Sequence, residues 1–158
     1  MTPIIRVAGP ADEPFLLGLM DRLADFPIPT WRTARQIRRA DYAILLQALT
    51  RPTEASLIMV AEAPEGTPVG GVFVSTRHDY FTGLPHAHVE VLAVLPDQVG
   101  KGVGRALLDA ADEWAGRRGY AQITLNVFAG NETARRLYER AGYAPETIHY
   151  RKALTPDA

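Results

Sequence analysis

The sequence predicts a single α/β domain over residues 1–158, with a mixed, mostly antiparallel central sheet and helices on both of its faces. Runs rich in β-branched residues alternate with segments of helical period, and turn residues separate them. The chain is long enough for one hydrophobic core and short for two domains. Its 47% hydrophobic and 22% charged residues are ordinary for a globular protein, and no repeat, low-complexity tract or linker divides it.

The amino-terminal half predicts one strand, two helices and a pair of strands. Residues 4–7 form the first strand, and apolar residues at helical spacing predict a helix over residues 12–25. The two prolines of "DFPIPTWR" interrupt this helix. Thr33 and Gln36 form a capping box that begins a second helix, which runs to about Leu49. The runs "SLIMVAE" and "VGGVFVSTRHD" on either side of "PEGTP" predict a meander.

The carboxyl-terminal half alternates strands and helices. The strand "HAHVEVLAVL" leads through a glycine-rich loop to a helix that ends at Gly119. One face of this helix is apolar and consists of Val103, Leu107, Ala111 and Trp114. Next come the strand "QITLNVF" and a helix over residues 131–140, and "PETIHYRKAL" predicts one or two closing strands.

Composition excludes several classes of function. The formal net charge of −1 gives no support for binding nucleic acid or an anionic membrane surface. The sequence has no cysteine, which excludes disulfides, thiolate nucleophiles and cysteine metal sites, and we predict no metal. The first residues carry no basic leader and no apolar run approaches a membrane-spanning length, so we expect a cytoplasmic protein.

The loop "VGKGVG" has glycine at positions 100, 102 and 104, between a strand and a helix. It is not a mononucleotide P-loop, because Lys101 is followed by Gly102 rather than by a hydroxyl residue. It is not a dinucleotide fingerprint, because Leu107 stands where the third glycine is required. Two interpretations remain: backbone amides that bind a pyrophosphate at the helix N-terminus, or a turn that only permits close packing.

The segment that contains this loop resembles the acetyl-coenzyme A binding half of the GNAT (GCN5-related N-acetyltransferase) superfamily. The matching pieces occur in family order: "LAVLP", "VGKGVG", "RALLDAADEWAGRRG", "ITLNV" and "NETARRLYERAGY". The resemblance implies the GNAT fold, in which the middle strands of the sheet splay apart. It also implies that residues 1–85 form the acceptor side and residues 86–154 bind acetyl-coenzyme A.

The resemblance assigns cofactor-binding roles to individual residues. Pyrophosphate binding falls to the backbone amides of Val99, Gly100, Lys101, Gly102, Val103, Gly104 and Arg105. The pantetheine arm would pair with the backbone of Leu92, Ala93 and Val94. Contacts further along the cofactor fall to Asn131, Ala134 and Tyr138. The family usually has Arg or Gln where this chain has Val99, so Lys101 or Arg105 has to supply any side-chain contact to phosphate.

Acyl transfer from a thioester to an amine requires a neutral amine, a stabilised oxyanion and a protonated leaving thiolate. By strand alternation, one face carries His86, His88, Glu90 and Leu92. Glu90 and His88 match positions that hold the general base in some family members, and Tyr138 matches the general acid. The alternatives are half-exposed strand histidines, a core aromatic at Tyr138 and a simple helix cap at Asn131.

The acceptor side is less sharply defined by the sequence. Phe26, Ile28 and Trp31 could form an apolar rim, with Asp21 and Asp25 as partners for a cationic amine. Tyr80 and Phe81 could close over the site. Residues 32–51 contain five arginines and one acidic residue, Asp41, which predicts either a solvated helix face or an anion site.

The predicted function is an N-acetyltransferase that moves the acetyl group of acetyl-coenzyme A to a primary amine by direct attack in a ternary complex. The alternative is a non-catalytic module of the same fold that binds coenzyme A or a partner protein. A nucleic-acid binder is disfavoured by the net charge. The expected acceptor is a small-molecule or peptide amine, with no nucleic-acid or membrane partner. Because many members of the family dimerise, a homodimer is also considered.

Overall fold

A computed structural model describes residues 2–156 of the chain. Its sheet has five strands in sequential order, and each of the first three pairs antiparallel with the next. The fifth is parallel to the fourth. This confirms the predicted mixed, mostly antiparallel sheet. The strands are β1 (Ile4–Val7), β2 (Ser56–Glu62), β3 (Pro68–His78), β4 (Pro85–Val94) and β5 (Ile123–Leu125).

Four α-helices accompany the sheet: α1 (Glu13–Gly18), α2 (Ala34–Thr50), α3 (Val103–Arg117) and α4 (Glu132–Arg140). The single helix predicted over residues 12–25 is instead α1, preceded and followed by 3-10 turns at Pro10–Asp12 and Leu19–Ala24. Glycine weakens an α-helix, and α1 ends at Gly18 in the tighter winding that is common at helix ends.

The capping box predicted for α2 is formed. The hydroxyl of Thr33 accepts a hydrogen bond from the amide of Gln36 at 3.1 Å, and the Gln36 side chain accepts one from the amide of Thr33 at 2.9 Å. The two bonds satisfy amide groups that a helix N-terminus otherwise leaves unpaired. This local pattern fixes the start of α2, and α2 forms one wall of the site described below.

The closing strands predicted within residues 145–154 are wrong, because the described part of the chain has no strand after β5. The alternating apolar residues that suggested them are present, but a strand requires a ladder partner as well as a pattern. Their side chains are instead largely exposed: Ile148 (74%), Tyr150 (86%) and Leu154 (90%).

The sheet separates two hydrophobic cores. The α3-side core packs α3 against one face, and it buries all four residues of the predicted apolar face of that helix. The α2-side core packs α1, α2 and the 3-10 turn between them against the other face, around Leu16, Leu45, Val60 and Phe73. Helices therefore cover both faces, as predicted.

A β-bulge in β4 changes which of its side chains share a face. Phe73 of β3 lies opposite Val91, and Val74 lies opposite Val89, so that Glu90 is the extra residue. Val89 and Leu92 both pack in the α3-side core, whereas Val91 belongs to the α2-side core. The prediction that Leu92 shares a face with the histidines is therefore wrong, because the bulge shifts the alternation by one residue.

The pairing between β4 and β5 ends well before the carboxyl end of β4. Pairing with β5 covers only Ala87 to Val89, opposite Ile123 to Leu125. From Glu90 to Val94, β4 continues along β3 alone in the described structure. Beyond Val89 this edge of β4 therefore has no strand partner among the described residues, and the carbonyl of Val94 accepts a hydrogen bond from Nε of Arg22 at 3.0 Å.

Candidate active site

The glycine loop leads directly into the N-terminus of α3. Gly100 and Gly102 have φ angles of +80° and +84°, a left-handed conformation that side chains other than glycine rarely adopt. A Cβ atom at either residue would meet nothing within 4 Å, so the loop surface is open. Gly102 is the N-cap of α3, and the amides of the first helical turn point toward this open surface without intrahelical acceptors. This is the geometry of an anion site.

Gly104 has a different role. A Cβ atom there would lie 3.0 Å from Cδ2 of Leu137, so glycine at this position lets α4 approach α3. The packing interpretation of the loop therefore applies to Gly104, whereas Gly100 and Gly102 are required by the backbone conformation of the turn.

Of the two cations considered for a phosphate contact, Arg105 is already engaged. Its Nε donates to Asp109 at 3.0 Å, and its guanidinium also donates to the carbonyl of Arg140 at 3.1 Å, at the end of α4. Lys101 lies exposed on the loop itself, beside the exposed Val99. Lys101 is therefore the better placed of the two for a phosphate.

Tyr138 lies on α4 and packs against the α3-side core, which also contains Leu92 and Val94 of β4. Its ring meets that of Tyr143 edge to face, with centroids 6.0 Å apart. Burial raises the pKa of Tyr138 to about 12, so the phenol is protonated at neutral pH. Nearby, Asn131 caps α4 by accepting a hydrogen bond from the amide of Ala134 at 3.3 Å, which confirms its structural role.

Glu90 is held firmly at the bulge. The hydroxyl of Ser75 donates to its Oε1 at 2.7 Å, and Arg77 donates to both carboxylate oxygens at 2.8 and 2.7 Å. Burial acts to raise the pKa of Glu90, but the hydrogen bonds from Arg77 and Ser75 and the charge of Arg77 outweigh it, and the pKa is lowered. Glu90 is therefore ionised at neutral pH, and its pKa is shifted away from the near-neutral range that favours a general base.

The two histidines of β4 share a partner on β5. Nδ1 of His88 and Nε2 of His86 lie 2.8 and 3.1 Å from the hydroxyl oxygen of Thr124. Their exposed fractions are 6% and 7%, so the interpretation of both as half-exposed is wrong. Burial, aided by the charge of Arg77, lowers the pKa of His88 to about 4 despite the opposing charge of Glu90. His88 is a neutral imidazole at pH 7.

A pocket of about 170 Å³ opens between the start of α2 and the segment after β5. Its acidic residue, Asp41, was considered in the sequence only as a counter-charge among arginines. Burial, together with the charge of Glu90, raises the pKa of Asp41, so these carboxylates are electrostatic neighbours. The pocket is lined by Arg32, Gln36, Ile37, Ala40, Asp41 and Phe128.

The acidic residues expected to contact an amine are elsewhere. Asp25 pairs with Arg22, and Asp21 lies 3.8 Å from Arg38 with its side chain largely exposed. Neither lines the pocket. Of the expected apolar rim, Phe26 does not line the pocket, but its ring stacks on that of Phe128, which does, with centroids 5.3 Å apart.

Trp31, also expected at the rim, and the two aromatic residues expected to close over the site lie in other surroundings. Trp31 lies under the guanidinium of Arg151, at 5.0 Å. Tyr80 and Phe81 contact each other edge to face and project into solvent, with exposed fractions of 93% and 77%. In this structure, Tyr80 and Phe81 do not close over the site.

The sequence profile of the acetyltransferase (GNAT) family matches residues 17–143, which is most of the chain. The chain belongs to the GNAT family. An aminoglycoside N(6′)-acetyltransferase type 1 of Stenotrophomonas maltophilia is 30% identical over 99% of this chain and 97% of its own length. The uncharacterized N-acetyltransferase YhfO of Bacillus subtilis (strain 168) is 30% identical over 92% of this chain and 94% of its own length.

Other similarities are more local or concern the fold. A mycothiol acetyltransferase of Propionibacterium freudenreichii subsp. shermanii is 44% identical over 55% of this GNAT chain, which spans only 27% of that relative's length. A putative acetyl transferase from Pyrococcus furiosus superposes with a TM-score of 0.75, at 23% identity, over 97% of this chain and all of that one. The aminoglycoside acetyltransferase AAC(6′)-Iy, in complex with the bisubstrate analogue CoA-S-monomethyl-acetylneamine, superposes with a TM-score of 0.69, also at 23% identity, over 97% of this chain and 99% of that one.

The family, the fold and the enzyme class predicted from the sequence are confirmed. This GNAT chain is an N-acetyltransferase, and the alternative of a non-catalytic module is not favoured. Across residues 2–156, no group of three or more metal-ligating side chains is placed to share a metal ion. None of the helices in the same range combines the length and the apolar character needed to cross a bilayer.

Proposed function

We propose that this protein transfers the acetyl group of acetyl-coenzyme A to a primary amine of a small molecule or peptide, by direct attack in a ternary complex. The edge of β4 that has no strand partner beyond Val89 carries the proposal. We assign the glycine loop and α4 to the cofactor side of this edge and the pocket at α2 to the acceptor side. The bisubstrate complex of the structurally similar AAC(6′)-Iy supports the use of a coenzyme A donor.

The cofactor would lie along the carboxyl end of β4. The amides from Val99 to Arg105 would bind the pyrophosphate, with Lys101 supplying a side-chain charge. The edge at residues 92–94, which has no strand partner among the described residues, would hydrogen-bond the pantetheine arm in the manner of an added strand, beside the bond from Arg22 to the carbonyl of Val94. Asn131 and Ala134, at the start of α4, would contact the same arm, and these assignments keep the residues expected from the family resemblance.

Tyr138 would protonate the departing thiolate. Because burial raises its pKa to about 12, the phenol holds its proton at neutral pH until a thiolate forms beside it. A pKa so far above neutrality makes the phenol a weak acid, so the proposal is supported by the position of Tyr138 in the same core as Leu92 and Val94 of β4 rather than by its acidity.

On the acceptor side, Glu90 would receive the amine's proton, with His88 assisting through water. Glu90 is ionised and its carboxylate is fixed by Ser75 and Arg77. The neutral His88 has an imidazole nitrogen that can accept a proton, and the nearby charge of Glu90 would stabilise the imidazolium.

The proposal is tested by measuring free thiol release from acetyl-coenzyme A across a panel of primary amines, alongside calorimetric binding of coenzyme A. We expect turnover on at least one amine and binding that saturates with one equivalent. Coenzyme A binding without turnover on any amine would overturn the enzymatic proposal and support a binding module.

A homodimer is also proposed. Large apolar side chains stand exposed on the β3–β4 connection and in the carboxyl-terminal segment, and such patches commonly mark protein interfaces: Tyr80, Phe81, Leu84, Ile148, Tyr150 and Leu154. Light scattering after gel filtration should give twice the chain mass, and a monomer at every concentration would overturn this. The near-neutral net charge supports the absence of nucleic-acid or membrane partners, and the lack of cysteine fits the predicted cytoplasmic location.

A further inference from the structure

The pocket at α2 is small. Its volume of about 170 Å³ lies below the roughly 300–1,000 Å³ of sites for drug-sized ligands. At about 30 Å³ per water molecule, it has room for about five or six waters or for one small organic group. It can therefore hold a compound of a few heavy atoms, or one end of a larger one.

The pocket contains one cation and one anion that do not pair. Arg32 and Asp41 both line it, yet within residues 2–156 neither side chain forms an ion pair or hydrogen bond with another residue. Asp41 is half-buried, where an unpaired carboxylate is unfavourable, and its raised pKa reflects that cost. A ligand that brings an ammonium group would remove this penalty.

The two charges have a defined order along the pocket. Asp41 lies two turns inside α2 and is half-buried, so it marks the inner end of the pocket, where its charge also acts on Glu90 of β4. Arg32 precedes α2 and is exposed, which puts it at the mouth. Between them the wall is apolar, formed by Ile37, Ala40 and Phe128. A ligand with an inward cation and an outward anion would match this order, whereas a diamine would bring its second charge against Arg32.

We propose that the acceptor is a small zwitterion, an α-amino acid or a compound with the same pair of charged groups, whose amine lies at Asp41 and whose anionic group lies at Arg32. This rests on the proposed function. The bound ammonium loses one proton before attack. Its nitrogen then forms the amide bond to the acetyl carbon, the carbon–sulfur bond breaks, and coenzyme A leaves as the thiol, so that one proton is released per turnover.

The test compares three classes of acceptor: the common L-amino acids, the amide of the best of them, and diamines from ethylenediamine to putrescine. The wild-type kcat/KM should be at least tenfold higher for the amino acid than for its amide, and higher again than for any diamine. Arg32→Gln should raise the KM of the amino acid about tenfold and leave that of the amide unchanged. Asp41→Asn should raise the KM of the amino acid and the KM of its amide to a similar extent.

Arg35→Gln is the matched control, because Arg35 is an exposed arginine of α2 that does not line the pocket, and it should change neither constant. Thermal unfolding of each variant confirms that it is folded. A wild-type preference for diamines or for the amide, or an Arg32→Gln enzyme that still discriminates the amino acid from its amide, would overturn the proposal.

Binding separates this proposal from the proposed function. Calorimetric titration of the amino acid into the complex with coenzyme A reports on the pocket without turnover. Binding that is lost in Arg32→Gln, with no acetylation of any amine, would overturn the enzymatic function and support the pocket assignment. Turnover on uncharged amines alone, indifferent to Arg32→Gln, would overturn the pocket assignment and support the function.

Discussion

At the scale of single residues, Arg77 determines the charge states of Glu90 and His88, the residues proposed to take the amine's proton. It donates two hydrogen bonds to Glu90, and its charge also acts on His88. The sequence placed Glu90 and His88 on one face of a strand, and the structure agrees. Their pKa values depend on Arg77 on the neighbouring strand, which the register of β3 with β4 pairs with His86 and whose side chain reaches Glu90. Alternation within β4 could not reveal that register.

Replacing Arg77 with glutamine should shift the pH dependence of activity. Without the guanidinium, burial dominates the pKa of Glu90, which rises, and the loss of a nearby positive charge also raises the pKa of His88. If ionised Glu90 receives the proton, the acid limb of kcat/KM moves to higher pH in Arg77→Gln. The measurement is the pH profile of kcat/KM for the wild type and for Arg77→Gln, each on two amines that differ in pKa.

Glu90→Gln and His88→Gln complete that experiment. The Glu90→Gln enzyme should lose the acid limb of the kcat/KM profile and most of the rate. The His88→Gln enzyme should lose a smaller part of the rate. A Glu90→Gln enzyme with an unaltered profile and rate would show that another group takes the proton.

Tyr138→Phe should lower kcat by roughly 10²–10⁴ with little change in the KM for acetyl-coenzyme A, because only the hydroxyl is removed. The ring packing against Tyr143 is retained, so thermal stability should barely change. Tyr143→Phe is the control, since it removes a hydroxyl from the other ring of the same pair. If Tyr138→Phe keeps more than half of kcat on its best amine, Tyr138 is a packing residue.

At the scale of elements, the sequence predicts most features that nearby residues determine, although not the change to 3-10 winding after Gly18, and it does not predict those that depend on distant partners. The capping box of α2 and the apolar face of α3 are determined by residues within a few turns of each other, and both were predicted. The bulge at Glu90 and the missing closing strands depend on partners elsewhere in the sheet. The sequence does not indicate that Asp41 lines a pocket, because its neighbours Glu90 and Phe128 approach it only after folding.

The two ends of α3 provide a matched pair of glycines. Gly102 at its start and Gly119 after its end both have left-handed φ angles and open space at the Cβ position. Alanine at either residue should cost about 1–2 kcal/mol of stability. Gly102→Ala alone should also weaken coenzyme A binding, by at least tenfold, because its Cβ occupies the space in front of the first-turn amides.

Calorimetry on both variants checks this prediction. Equal coenzyme A affinities in folded Gly102→Ala and Gly119→Ala would contradict the phosphate site. Gly104→Val is unsuitable for the purpose, because its side chain would collide with Leu137 and disturb α4 as well.

At the scale of the whole molecule, His88 should make folding stability depend on pH. Its pKa is lowered from 6.5 to about 4 on folding, so between these values the unfolded chain binds more protons. The contribution of His88 to the free energy of unfolding is complete above pH 6.5. It is lost as the pH falls toward 4, and the loss amounts to at most roughly 3 kcal/mol.

Chemical denaturation between pH 7 and 5 measures this slope before most carboxylates titrate. His88→Gln should flatten it, whereas His78→Gln, at an exposed histidine, should leave it unchanged. An identical slope in His88→Gln would show that the imidazole is not buried in its neutral form.

The separation of the two cores by the sheet has an evolutionary consequence. The proposed cofactor-binding segments pack with the α3-side core, and the residues that face the acceptor pocket are mainly on α2, across the sheet. Substitutions at the exposed start of α2 can therefore exchange one amine for another while the machinery that handles the thioester stays intact. A lineage with this arrangement can diversify its acceptors by a few surface mutations, each nearly neutral for folding, and retain a common donor.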